Sequence, residues 1–216
     1  MNSPSSRPIW ARPDRASLFP QAAGEDGAIM FFNRKKKQEP VENLADLALT
    51  AARKGDTVSV LAMGDDYEDL DFTVDRVSYY EGDPGERWTE VSGVYRGTRI
   101  FLEVWDEPGV DVILTRESDE ISFRSLGLGE PDLVRLDETK DTSVEIGVDG
   151  VRFRFSESGE ALYFEDGSRE GEGYYEWVFE EVEGPRELYV EKWEGEPFEA
   201  SLGRKIQSGD CRVFRR

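Results

Sequence analysis

Histidine is absent from all 216 residues, and cysteine occurs once, as Cys211. Without histidine the chain lacks the commonest general base and transition-metal ligand, and every histidine-containing nucleophilic triad is excluded. A single cysteine allows neither an intrachain disulfide nor a cysteine zinc cage, which suits a reducing compartment. Long apolar runs are missing as well. No stretch approaches the roughly 18–20 residues that cross a bilayer as a helix, and the start of the chain has no apolar signal-peptide core. Neither a phosphate loop nor a dinucleotide glycine motif occurs, and Gly127-Leu128-Gly129 is too short to count as one. These absences predict a cytoplasmic, non-enzymatic protein with no cofactor and no metal.

What the chain has in excess is negative charge. It carries 47 acidic against 27 basic residues, a formal net charge of −20. Polyanion binding draws on clustered lysine and arginine, so nucleic acid is excluded as a partner. The acidic surface serves solubility or meets cationic ligands. Aromatic residues make up 12% and hydrophobic residues 38%, enough to build a core and to exclude a wholly disordered chain.

Residues 1–39 read as a disordered tail, with Pro4, Pro8, Pro13 and Pro20 spread among polar residues and no periodicity. Met30 offers a second start. After it come Phe31 and Phe32, then Arg34, Lys35, Lys36 and Lys37, a concentrated basic patch that suits a weak peripheral membrane contact over 30–37 or a solvated tail. Residues 40–54 predict an amphipathic helix, with Pro40 at its entry, Leu44, Leu47, Ala48 and Ala51 on one stripe, and Gly55 at its stop.

From Gly55 the pattern is that of an all-β protein. A first β half, 55–116, holds runs at Thr57–Leu61, Leu70–Tyr79, Arg87–Tyr95, Arg99–Trp105 and Val110–Thr115. A turn-rich connector spans 117–141. The second β half, 142–216, holds runs at Ser143–Val148, Val151–Ser156, Ala161–Glu165, Tyr174–Glu181, Glu187–Trp193 and Phe198–Leu202. Asp149-Gly150 between two alternating runs marks a two-residue hairpin. The predicted fold is mostly β, with two related antiparallel sandwich or barrel-like halves and one N-terminal amphipathic helix.

An internal repeat supports two related halves. Glu103-Val104-Trp105-Asp106 leads through seven residues to Leu114-Thr115-Arg116, and Glu191-Lys192-Trp193-Glu194 leads through seven to Leu202-Gly203-Arg204. Strand alternation puts Phe101, Glu103 and Trp105 on one face, and Tyr189, Glu191 and Trp193 on another. A carboxylate between aromatics has a raised pKa if buried, or it is a structural anion answered by Arg116 or Arg204; the repetition favours the structural reading. Trp88, Trp105, Trp177 and Trp193, with Glu90, Glu103 and Glu191, form a candidate ligand or interaction set, set against ordinary packing of tryptophan in a β core. The acidic run Asp65–Asp71 lacks the central glycine and spaced glutamate of a calcium loop, and reads as solvated.

Several segments together resemble the bacterial domain of unknown function family 4178 over roughly residues 55–214. They are Gly55-Asp56-Thr57-Val58, Trp88-Thr89-Glu90, Leu102-Glu103-Val104-Trp105, Val148-Asp149-Gly150-Val151-Arg152-Phe153, Tyr174-Tyr175-Glu176-Trp177, Leu188-Tyr189-Val190-Glu191-Lys192-Trp193 and Phe198-Glu199-Ala200-Ser201-Leu202-Gly203-Arg204. The resemblance implies a largely β fold without an established activity, in genes often placed near polyamine-synthesis and membrane-stress genes. The expectation is an accessory or adaptor protein with a protein partner in an envelope-stress or polyamine-linked system; the alternative is a protein that binds a cationic small molecule such as a polyamine.

Overall fold

The computed structural model describes residues 47–64, 68–82, 85–105 and 111–215. Eleven strands form the sheet: β1 (Thr57–Val60), β2 (Leu70–Glu81), β3 (Arg87–Tyr95), β4 (Thr98–Trp105), β5 (Asp111–Glu120), β6 (Glu145–Val148), β7 (Val151–Phe164), β8 (Glu172–Glu181), β9 (Arg186–Trp193), β10 (Phe198–Gln207) and β11 (Cys211–Phe214). Among the described residues there is one α-helix, α1 (Glu130–Thr139), between β5 and β6. The protein is mostly β, and every strand pairing is antiparallel.

The strand order is β11-β1-β2-β3-β4-β5-β10-β9-β8-β7-β6, and β2 also pairs with β7. That last ladder, Tyr79↔Phe164, Tyr80↔Tyr163 and Glu81↔Leu162, closes the eight strands from β2 to β7 into a ring. Closure removes the edges that an open sheet leaves unpaired. The strands expected to build two halves therefore join in one sheet, β5 meeting β10 on one side and β2 meeting β7 on the other.

Local chemistry explains the hairpins. Asp149 and Gly150 both take positive φ (48° and 80°), as do Arg96 and Gly97 (48° and 88°). Two consecutive left-handed residues give the tight turn whose twist matches flanking strands, so Val148 faces Val151 and Tyr95 faces Thr98. In β7 the register shifts between Phe155 and Glu157. This bulge joins two runs that alternation alone breaks apart, Val151–Ser156 and Ala161–Glu165, into one strand of 14 residues.

Two apolar cores lie outside the ring. Ile100, Leu102 and Val104 of β4 pack with Val58 and Val60 of β1, Phe72 of β2 and Val213 of β11. Phe153, Phe155, Phe179, Leu188 and Val190 pack beneath Leu133 and Leu136 of α1. The helix begins at Glu130 with Pro131 in its first turn, and is held by the Asp132 carboxylate, which accepts the Gly129 amide at 3.0 Å, a self-contained start.

The helix expected over 40–54 is corrected within its described part. Leu47 forms a bridge with Val213, and Leu49–Ala51 makes a single 3-10 turn flanked by extended Ala48 and Ala52. Burying Leu49 and Ala52 against the sheet outweighs the local preference for a helix. Residues 40–46, and the tail expected over 1–39 with its contact at Phe31, Phe32, Arg34, Lys35, Lys36 and Lys37, lie outside the described residues.

The C-terminal strand is clamped at its end. Arg215 donates to the buried Asp56 carboxylate at 3.1 Å and to the Ala51 carbonyl at 2.8 Å, and this guanidinium holds the Asp56 pKa below its ordinary value. Replacing Arg215 with Ala is expected to cost about 2 kcal/mol in urea unfolding at neutral pH, since a covered carboxylate loses its charged donor. The cost fades as acid protonates Asp56, because a depressed folded-state pKa contributes stability only above the unfolded value.

Candidate functional site: an acidic, aromatic barrel lumen

Alternation sends one face of each ring strand inward, and in this protein the inward face carries the polar and aromatic residues. The ladders set them in rows. Tyr80 faces Trp88, which faces Trp105; Tyr174 faces Trp193. One step along, Glu90 faces Glu103, and Glu176 faces Glu191, which faces Glu199. The two halves thus place an aromatic pair and a glutamate pair at matching ladder positions, Trp88 with Trp105 and Glu90 with Glu103 in the first, Tyr174 with Trp193 and Glu176 with Glu191 in the second. The match ends at the next ladder, where Ile100 faces Arg116 but Leu188 faces Leu202.

The rings form a continuous chain. Centroids lie 5.8 Å apart for Trp105 and Trp88, 5.0 Å for Trp88 and Tyr80, 4.9 Å for Tyr80 and Tyr163, 5.8 Å for Tyr163 and Trp193, and 4.5 Å for Trp193 and Tyr174. Each inward indole donates to a carboxylate: Trp88 to Glu103 at 2.9 Å, Trp193 to Glu191 at 2.9 Å, and Trp105 to Glu86 at 3.1 Å. Tyr80 donates to Glu90 at 3.0 Å, and the Tyr163 hydroxyl lies 3.3 Å from the other oxygen of the same group. Tyr189 donates to Glu187. Among the described residues Glu176 accepts no hydrogen bond.

Two cavities open inside this wall, of about 830 Å³ and about 660 Å³. The first is bordered by Tyr80, Glu90, Tyr163, Glu191 and Trp193, the second by Trp88, Trp105, Glu176 and Glu187, and both by Glu103 and Tyr189. Four cationic residues border them, Arg116 and Arg124 the first and Arg87 and Lys205 the second. Lys205 is held at 2.7 Å by both Glu180 and Glu187. Arg76 and Arg99, which bear on Glu90 through space, pair with Glu165 and Asp75.

Burial without a counter-charge favours the neutral acid. Enclosure raises Glu90, against the lowering pull of the Tyr80 and Tyr163 hydroxyls. Glu103 is pushed well above the usual carboxylate range by enclosure first and then by its neighbours Glu90 and Glu176. Enclosure beside Glu191 pushes Glu176 up to about 8. Glu191 rises to about 7, mainly from enclosure and partly offset by the Trp193 donor.

Of the residues singled out from the sequence, Trp88, Glu90, Glu103, Trp105, Glu191 and Trp193 meet in this lumen. Trp177 does not. It lies on the outer face of β8, in the core beneath α1, where its indole donates to the Leu133 carbonyl at 2.9 Å. The arginine partners expected for the repeated glutamates are also corrected. Arg116 faces Ile100 and donates to the Met63 carbonyl, and Arg204 faces Leu114, so neither is the hydrogen-bond partner of Glu103 or Glu191, although Arg116 borders the same cavity as those glutamates. Tyr189 was placed with Glu191 and Trp193 by alternation alone, and Glu187 on the same strand shares that parity. Tyr80, Tyr163, Tyr174 and Glu176 were not singled out, because their parity relative to Trp193 needs the ladder register to be read.

Together these features define a closed antiparallel barrel whose lumen is lined by buried aromatic rings and carboxyl groups. The chain belongs to the family described as Domain of unknown function (DUF4178), whose model matches residues 62–208. No curated protein and no solved structure matches the chain.

Proposed function

We propose that this protein binds a small organic cation, an amine or quaternary ammonium, in the barrel lumen, and that it acts by binding rather than by catalysis. The observation that carries this reading is Glu176, a carboxylate that no described donor satisfies, directly opposite Glu191 and beside the stacked Tyr174 and Trp193 rings. A ligand ammonium supplies the missing positive charge, and aromatic faces stabilise it by roughly 2 kcal/mol where water is displaced. The cavity volumes fall in the range of small-molecule sites.

Such a ligand competes with protons. It favours ionised Glu176 and Glu191, so affinity rises with pH through about 7 to about 8 and binding releases protons to the buffer. Calorimetry with spermidine and with tetramethylammonium, in two buffers of different ionisation enthalpy, measures both effects. The expected result is a saturable heat that depends on the buffer, with affinity weakened about tenfold by Glu176→Gln, as suits loss of a charged partner. No heat beyond dilution for either cation defeats the proposal.

A further inference from the structure

The outer wall carries a second, oppositely charged feature. Arg116 of β5, Arg204 of β10 and Arg186 of β9 line one groove of about 400 Å³, with Asp119 at its side. Arg186 and Arg204 stand directly opposite each other in the ladder. Like charges so placed destabilise a sheet on their own, and here they occur in a chain with a net charge of −20.

The backbone departs from a regular ladder at this point. Between the pairs Gly203↔Thr115 and Ser201↔Glu120, β10 advances two residues while β5 advances five. Residues 116–119 of β5 stand against Leu202 alone, an irregular bulge that contains Arg116 and Asp119, and bulges re-aim side chains where a site is built. The charges in the groove are unevenly answered. Arg186 grips both oxygens of Glu181, at 2.8 and 3.0 Å, and Arg116 donates to the Met63 carbonyl. Arg204 acts on Glu181 through space, but that carboxylate is already held, and among the described residues Arg204 makes no ion pair.

We propose that this groove is an oxyanion site, taking the phosphate or carboxylate group of a small molecule between Arg204 and Arg116. Planar guanidinium groups match such oxygens with paired hydrogen bonds. Arg204 borders this groove and neither lumen cavity, whereas Arg116 borders the first lumen cavity as well.

Amide and arginine Nε NMR signals of the full chain, titrated with sodium phosphate and separately with sodium acetate against sodium chloride at equal ionic strength, test it. The expected result is a saturable shift at residues 202–204 and at Arg116 that chloride does not produce. In Arg204→Gln the affinity is weakened about tenfold, the effect of losing one charge-assisted contact, while Arg212→Gln, on exposed β11 surface, keeps it. The stronger of the two responses assigns the group as phosphate or carboxylate. Arg204 is exposed, so its replacement leaves the fold intact and the dispersed spectrum verifies that. Shifts equal to those in chloride, or an Arg204→Gln protein that binds as the wild type does, overturn the site.

Discussion

Replacing Glu176 and Glu191 together with Gln raises the melting temperature at about pH 9 by around 10 °C and leaves it almost unchanged at about pH 5. Both carboxyls are raised in the folded state, to about 8 and about 7. Folded protein therefore holds these protons more tightly than unfolded chain. Their contribution to stability is complete below the ordinary carboxylate range and is lost as pH rises through about 7 and about 8. The opposite group comprises Asp56, Asp75, Asp137 and Glu181, lowered by Arg215, Arg99, Lys140 and Arg186. Their contribution is present above the unfolded values and falls away in acid. Wild-type stability accordingly peaks on the mildly acidic side of neutrality, and glutamine, which carries no charge, flattens the alkaline decline. Calorimetric melting at several pH values measures both slopes. A double variant with the same alkaline decline as wild type removes the lumen glutamates as its source.

Phe179→Ala costs about 3–5 kcal/mol in guanidinium unfolding. Phe179 is fully buried, meets Phe155 edge-on at a centroid distance of 5.6 Å, and shares its core with Leu133 and Leu136 of α1. Deleting the ring leaves a cavity that α1 and β7 can only partly close, so the transfer and cavity terms add. The same substitution leaves cation affinity in the lumen within about twofold of wild type where the variant stays folded, because separate sites act additively. Phe179 and the lumen glutamate Glu176 stand at odd spacing on β8, so they face opposite sides of the wall. A variant that loses both stability and ligand affinity in proportion contradicts that separation.

Much of the candidate site was legible because strand parity is a local property. Glu103 with Trp105, and Glu191 with Trp193, share a face whatever the surrounding topology, and the repeated spacing made them visible. Tryptophan content alone misled at β8. Trp177 drew attention over its neighbours Tyr174 and Glu176, which face the lumen. Only the pairing of Tyr174 with Trp193 shows which side of that strand is inside. Helix α1 was missed within a stretch read as connector, although Pro131, Leu133 and Leu136 carry a short helical pattern. Acidic turn residues around them masked it, and its stability comes from docking on the second core.

What the sequence determined by itself was composition and alternation: a mostly β chain, repeated aromatic and acidic faces, no histidine, and one cysteine that cannot form an intrachain disulfide. These depend on residue identity and on the two-residue period of a strand, so they precede any tertiary contact. Tertiary structure alone decided that eight of the strands form one ring, that β11 returns to pair with β1, and that Arg204 stands outside while Glu103 and Glu191 stand inside. Those outcomes rest on ladders between residues far apart in the chain, such as Tyr80 with Tyr163 and Val58 with Val213. The pKa values of the glutamates follow from the same closure, since desolvation acts on a carboxylate only once a wall surrounds it.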